Sequence, residues 1–196
     1  MQYVRSTGQT SQTIPFNGLE TYSVIVTNSN NCSKTKNITI NQHIAPIIET
    51  VETTETTATI ITTENGAFEF SIDGINYQNS NLFVVFEGGI YTAYVKETNG
   101  CGMDKSVFAV ITFPQYFSPN GDLINDNWLL KGMSEYPNAE IKIYNRYGKF
   151  ITRINAKNPS WDGTLNGKQL PADDYWFISK LNESIPIKKG HFSLKR

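Results

Sequence analysis

The sequence predicts an all-β fold, and three observations lead there. Runs rich in Thr, Asn, Ile, Val and Tyr recur along the 196 residues and are broken by Gly and Asn, which favours strands over helices. Tyr22, Val24 and Val26 alternate with Ser23, Ile25 and Thr27, the period of a strand rather than a helix. The stretch 21–32 also recurs as 90–101. Tyr22 aligns with Tyr91, Val26 with Val95 and Cys32 with Cys101, at a constant offset of 69 residues. A self-similar unit of this length, built from short strands and regular turns, points to a β-sandwich.

The elements follow in order. The first copy, within residues 1–42, holds little more than the second half of a unit. It lacks part of one sheet and is expected to be less ordered or to lean on a neighbour. The second copy spans 43–113, with strands expected over 46–51, 56–62, 82–86, 91–97 and 106–112. A hairpin over 68–77 is expected to turn at Asp73-Gly74. Gly18 and Gly88-Gly89 supply a turn before each repeated strand. Beyond Phe113 the repeat stops. All three tryptophans, Trp128, Trp161 and Trp176, lie there. Strands over 140–145 and 149–154 flank Arg146-Tyr147-Gly148 as one hairpin. Strands over 175–181 and 185–194 flank Asn182-Glu183-Ser184 as another. Pro186 places the start of the last strand at a sheet edge. A short helical turn is expected over 133–138.

Composition narrows the function classes. Charged residues make up 18% and aromatics 12%, so the chain can build cores and is not compositionally disordered. A net charge of −1 gives no general attraction to nucleic acid or acidic membranes. That charge is unevenly divided. Residues 1–113 hold 5 Lys+Arg and 10 Asp+Glu, whereas 114–196 hold 12 and 8, which supports a boundary near Phe113. No apolar run is long enough to span a bilayer, so the chain is not expected to be transmembrane. Met1 to Arg5 lead into no apolar stretch, so no signal peptide is expected, and an exported protein would extend beyond this chain.

Four phrases punctuate residues 114–196. They are Phe117-Ser-Pro-Asn-Gly-Asp-Leu-Ile-Asn-Asp-Asn-Trp128, the 140–148 hairpin, Trp161-Asp-Gly-Thr-Leu-Asn-Gly-Lys-Gln-Leu-Pro171 and Lys189-Gly-His-Phe-Ser-Leu-Lys-Arg196. In order and spacing they resemble the gliding-motility-associated C-terminal domain, the type B export signal of type IX secretion. One departure is Leu123, where that family usually has Gly. The 69-residue units in turn resemble the Ig-like tandem repeats of large SprB-like gliding adhesins.

The resemblance implies Ig-like β-sandwich repeats followed by a C-terminal β-sandwich. It divides the chain into a partial repeat (1–42), a complete repeat (43–113) and a secretion-signal domain (114–196). It implies a secreted cell-surface adhesin used in gliding motility, reaching the surface through the periplasm and outer membrane. The implied partners are the type IX translocon and a PorP/SprF-like outer-membrane protein. A monomer is expected. In such repeats the Cys commonly pairs with one near the start of its unit. Here Cys101 lacks that partner, and a Cys32–Cys101 bridge is disfavoured because matching positions of successive units lie far apart. The alternative is a carbohydrate-binding module of a secreted multidomain enzyme.

Candidate chemical groups are few. Asn120, Asp122, Asn125 and Asp126 bunch within seven positions, a density that resembles the start of a calcium loop. The simpler reading, and the preferred one, is an Asx-rich turn whose side chains bond nearby backbone amides; the loop lacks a distal bidentate Glu. Trp161 or Trp176 would serve as a sugar-stacking platform in the alternative function, although core roles suit so small a domain better. Asp162 is placed to cap its own loop. His43 and His191 stand far apart with no companion ligands at zinc spacing. No catalytic constellation is recognisable, and no enzyme and no cofactor are expected. Lys188, Lys189, Lys195 and Arg196 form a basic end. They either guard a strand edge or dock to the translocon, where a terminal edge strand would recruit a partner by strand addition.

Overall fold

The computed structural model describes residues 2–13, 15 and 18–196; the expectation about Met1 lies outside them. The chain is all-β and forms two compact units, Met1–Ile44 and Ala45–Arg196.

The first unit is an antiparallel sheet of β1 (Gln2–Arg5), β2 (Thr21–Thr27) and β3 (Ser33–Thr39), in that order. Among its described residues Tyr22 is the one buried hydrophobic, and every side chain of β3 is exposed. β1 carries no counterpart in the sequence reading. It pairs Gln2 with Thr27 through to Arg5 with Val24.

The second unit opens with β4 (Ile48–Thr53), β5 (Thr57–Thr62), β6 (Phe68–Ser71), β7 (Leu82–Val84), β8 (Gly89–Glu97) and β9 (Met103–Val110). Two sheets, β4-β5-β7 and β6-β8-β9, enclose a core that includes Ile60, Phe70, Val95, Phe108 and Val110. The expected 68–77 hairpin is looser than a two-residue turn: Phe70 bridges Gln78, and the loop between them is organised by Asp73. The Asp73 carboxylate accepts from the Ile75 and Asn76 amides, each at 2.8 Å, and from the Asn76 side chain at 2.7 Å, while Gly74 takes φ +72°. An Asx turn therefore replaces a tight hairpin.

Those bonds, from Asn76 and Ile75 foremost, hold the Asp73 carboxyl well below the usual carboxylate range. A depressed folded pKa stabilises the fold above the ordinary carboxylate value and loses that contribution as pH falls through the folded one. Asp73→Asn, which keeps one acceptor but cannot titrate, should flatten the fall in melting temperature on acidification below about pH 4. Melts at stepped pH check this, and an unchanged slope would contradict it.

The repeat is also visible in hydrogen bonds. Asn28 caps the Asn30 and Cys32 amides at 2.9 and 3.0 Å, and Glu97, 69 residues on, caps Asn99 and Cys101 at 2.7 and 3.2 Å. The Tyr22 hydroxyl donates to the Gly18 carbonyl as Tyr91 does to Glu87. Asn31 and Gly100, at equivalent places, both take positive φ. Cys32 and Cys101 are both exposed.

The remaining strands are β10 (Tyr116–Phe117), β11 (Trp128–Leu129), β12 (Glu140–Asn145), β13 (Phe150–Asn155), β14 (Ser160–Trp161), β15 (Thr164–Leu165), β16 (Lys168–Gln169), β17 (Asp173–Lys180) and β18 (Lys188–Leu194). Five form the main sheet in the order β10-β18-β17-β12-β13; β11-β14 and β15-β16 are two-stranded ribbons. The helical turn expected over 133–138 is a 3-10 turn at Met133–Glu135. The core is aromatic: Phe117, Trp128, Trp161, Tyr175, Phe177 and Phe192 are all buried. Ile111 and Phe113 belong to this second core rather than to the sandwich before it, and Phe113 stacks on Phe177 at 4.6 Å.

Candidate functional site

Each phrase of the last 80 or so residues has a structural use. The Trp128 indole donates to the Pro114 carbonyl at 2.8 Å and stacks on Phe192 at 4.0 Å. The Trp161 indole donates to the Thr164 carbonyl at 2.8 Å, and the paired strands set Trp128 opposite Trp161. Asp162 caps the same loop through the Thr164 amide and hydroxyl. Gly163 sits at φ +78°, where an added Cβ would lie 3.2 Å from Leu194 and 3.3 Å from Phe117. Gly190 lies opposite Phe177, and a Cβ there would meet the ring at 2.8 Å. Both glycines are therefore steric requirements of the aromatic core.

The structure gathers Asn120, Asp122, Asn125 and Asp126 into one loop. Asp126 accepts from the Gly121 and Leu123 amides at 2.8 and 2.9 Å. Asp122 accepts from the Asn120 side chain and the Ile124 amide at 2.9 and 2.8 Å, and these bonds hold its carboxyl below the usual range. The Asn125 carbonyl takes the Ser118 amide at 2.8 Å. Every oxygen of the two carboxylates thus already accepts a bond from the loop itself. Leu123 and Asn125 adopt φ +68° and +54°, and the Leu123 side chain is exposed. A left-handed backbone at position 123 is one that glycine adopts without the steric cost a leucine carries. With its carboxylates bonded to protein donors, the loop should be indifferent to calcium: EDTA should leave the melting temperature unchanged. A drop that Asp122→Ala abolishes would instead restore the cation reading.

The four basic residues of the carboxyl end do not form one patch. Lys188 and Lys189 point to opposite faces of β18. Lys188 is half-buried, pairs with Glu55 and lies 5.0 Å from the Phe113 ring centre; burial lowers its pKa. Lys195 sits over Tyr116 at 4.1 Å. The Arg196 guanidinium donates to the Leu170 carbonyl at 3.0 Å and the Gly163 carbonyl at 3.4 Å. Among the described residues, Lys189 is the one of the four that stands on the solvent face without such a contact. β18 is not a bare edge either, because β10 runs parallel along its end, pairing Tyr116 with Ser193 and Phe117 with Leu194.

Lys189→Gln should therefore leave the melt unchanged. Lys188→Gln and Arg196→Gln should each cost about 1 kcal/mol, through lost ion-pair, cation–π or capping contacts. Equal melts for all three would show that those contacts contribute nothing.

Among the described residues no three His, Cys, Asp or Glu side chains converge on a metal position. No helix among them is long and apolar enough to cross a membrane. Sequence reasoning missed Glu55 as the partner of Lys188 and the Asp73 cap. The acid-rich Glu49–Glu55 stretch and the Asp-Gly step were their only local signals.

With the aromatic core, the two motif glycines and the terminal strand in place, the comparison with known families is direct. Residues 111–194 match the CHU_C type IX secretion signal domain. The match begins at Ile111, directly after Val110, the last side chain of the sandwich core, and just beyond Ala109, which already packs in the second core. This part of the chain is a secretion-targeting domain, which implies interaction with the type IX secretion system and export to the cell surface or medium. A comparison with curated proteins gives no match.

Proposed function

We propose that the chain is the C-terminal region of a cell-surface adhesin used in gliding motility, and that its last domain is read by the secretion machinery as a folded object. The observation that carries the reading is the match over 111–194, in which the matched phrases serve one closed core. The 69-residue repeat, with its duplicated caps, supports a stalk of Ig-like modules divided near 1–42, 43–113 and 114–196. Ile111 and Phe113 pack with the last of these. The proposed partners are the type IX translocon and a PorP/SprF-like outer-membrane protein. The proposed role is binding and targeting rather than catalysis.

The test fuses residues 45–196 to a fluorescent cargo bearing a Sec signal, in type IX-competent cells and in cells lacking the translocon. Export only by the competent cells is expected. Cargo held in the periplasm of both would overturn the targeting role. A second fusion carrying 111–196 asks whether the preceding repeat contributes.

A further inference from the structure

We propose that the solvent face of the five-stranded sheet binds an acidic polysaccharide, with Trp176 as its stacking platform. Trp128 and Trp161 are 0% and 5% exposed, whereas Trp176 is 40% exposed. A tryptophan ring this exposed on a sheet face leaves apolar surface open to solvent.

Trp176 does not stand alone. The register sets Phe150 beside Tyr144, Tyr144 beside Trp176, and Trp176 beside His191, one ring from each of β13, β12, β17 and β18. Phe150 and Tyr144 meet edge to face at 5.9 Å, and Trp176 and His191 lie 6.1 Å apart. Tyr144 and Trp176 both line an open groove of about 480 Å³, with Asn145, Arg146, Ile178 and Lys189 along it. The row crosses three inter-strand gaps, about 14 Å in all, a length that takes a short run of sugar rings rather than a single small molecule.

The flanking charge selects the ligand. Lys142 and Arg153 share Glu140 at 3.0 and 3.3 Å, Arg146 pairs with Asp173 at 2.7 Å, and Asp174 takes the Ser193 hydroxyl at 2.6 Å. Lys189, on the groove itself, has no carboxylate partner among the described residues. A sugar ring places its C–H face on the indole and its hydroxyls toward Asn145 and Arg146, while a ring carboxylate answers Lys189. An apolar protein partner fits less well, because charged side chains border the rings.

This inference is independent of the export reading. The intact chain is titrated calorimetrically with oligogalacturonate, a neutral cello-oligosaccharide and poly-glutamate. Oligogalacturonate should bind in preference to both others. Trp176→Ala should weaken it about tenfold or more, with Trp176→Phe restoring part of the loss. Lys189→Gln should weaken it while leaving the melt unchanged. No binding, equal binding of the neutral oligosaccharide or of poly-glutamate, or full affinity in Trp176→Ala would each overturn the proposal.

Discussion

Deleting Lys189 to Arg196 should abolish cooperative folding of the signal domain and strand a fused cargo in the periplasm. The deleted segment holds Phe192 and Leu194, which are 0% and 2% exposed. Phe192 is a hub of the aromatic core: it stacks on Trp128 and contacts Phe117, Trp161, Tyr175 and Phe177. Losing two such side chains costs on the order of 5–10 kcal/mol, comparable to the whole stability of a domain. The backbone loss adds to this. β17 loses its pairing from Ile178 to Asp173, and β10 loses its pairing with β18. Near-ultraviolet circular dichroism should show no sharp thermal transition. A cooperative melt with normal export would show that the strand is dispensable and the core assignment mistaken.

Trp161→Ala should destabilise the same domain by roughly 3–5 kcal/mol. The indole is buried, meets Tyr175 and Phe192 edge-on at 5.1 and 6.0 Å, and closes its loop through the Thr164 carbonyl. Removal leaves a cavity and frees the loop that Gly163 and Arg196 also hold. The melting temperature should fall by on the order of 10 °C. If the ring were instead a sugar platform, the melt would barely move and glycan binding would vanish. Trp176→Ala supplies the contrast, since its exposed ring should cost little stability.

Much of this was legible in the chain. The strand over 140–145 was expected at the residues where it occurs. The 69-residue offset showed in sequence what the caps at Asn28 and Glu97 repeat in hydrogen bonds. Turn chemistry is local, so Gly, Asn and Asp announced their turns, and a strand over 175–181 was expected close to where β17 runs. Alternation does not say which face meets the core. The sequence reading named Trp161 or Trp176 as a sugar platform but preferred core roles; the fold buries Trp161 and leaves Trp176 exposed.

The sequence by itself determined an all-β chain, the repeat, the change of character near Phe113 and the phrases of the signal domain. Only the tertiary structure decided that Ile111 and Phe113 join the later core and that Lys188 reaches Glu55. It alone set β10 parallel against β18 and gathered four rings into one row across the sheet. Each of these rests on pairing between segments many residues apart. Their register is set by how whole faces pack, and no local run of residues records it.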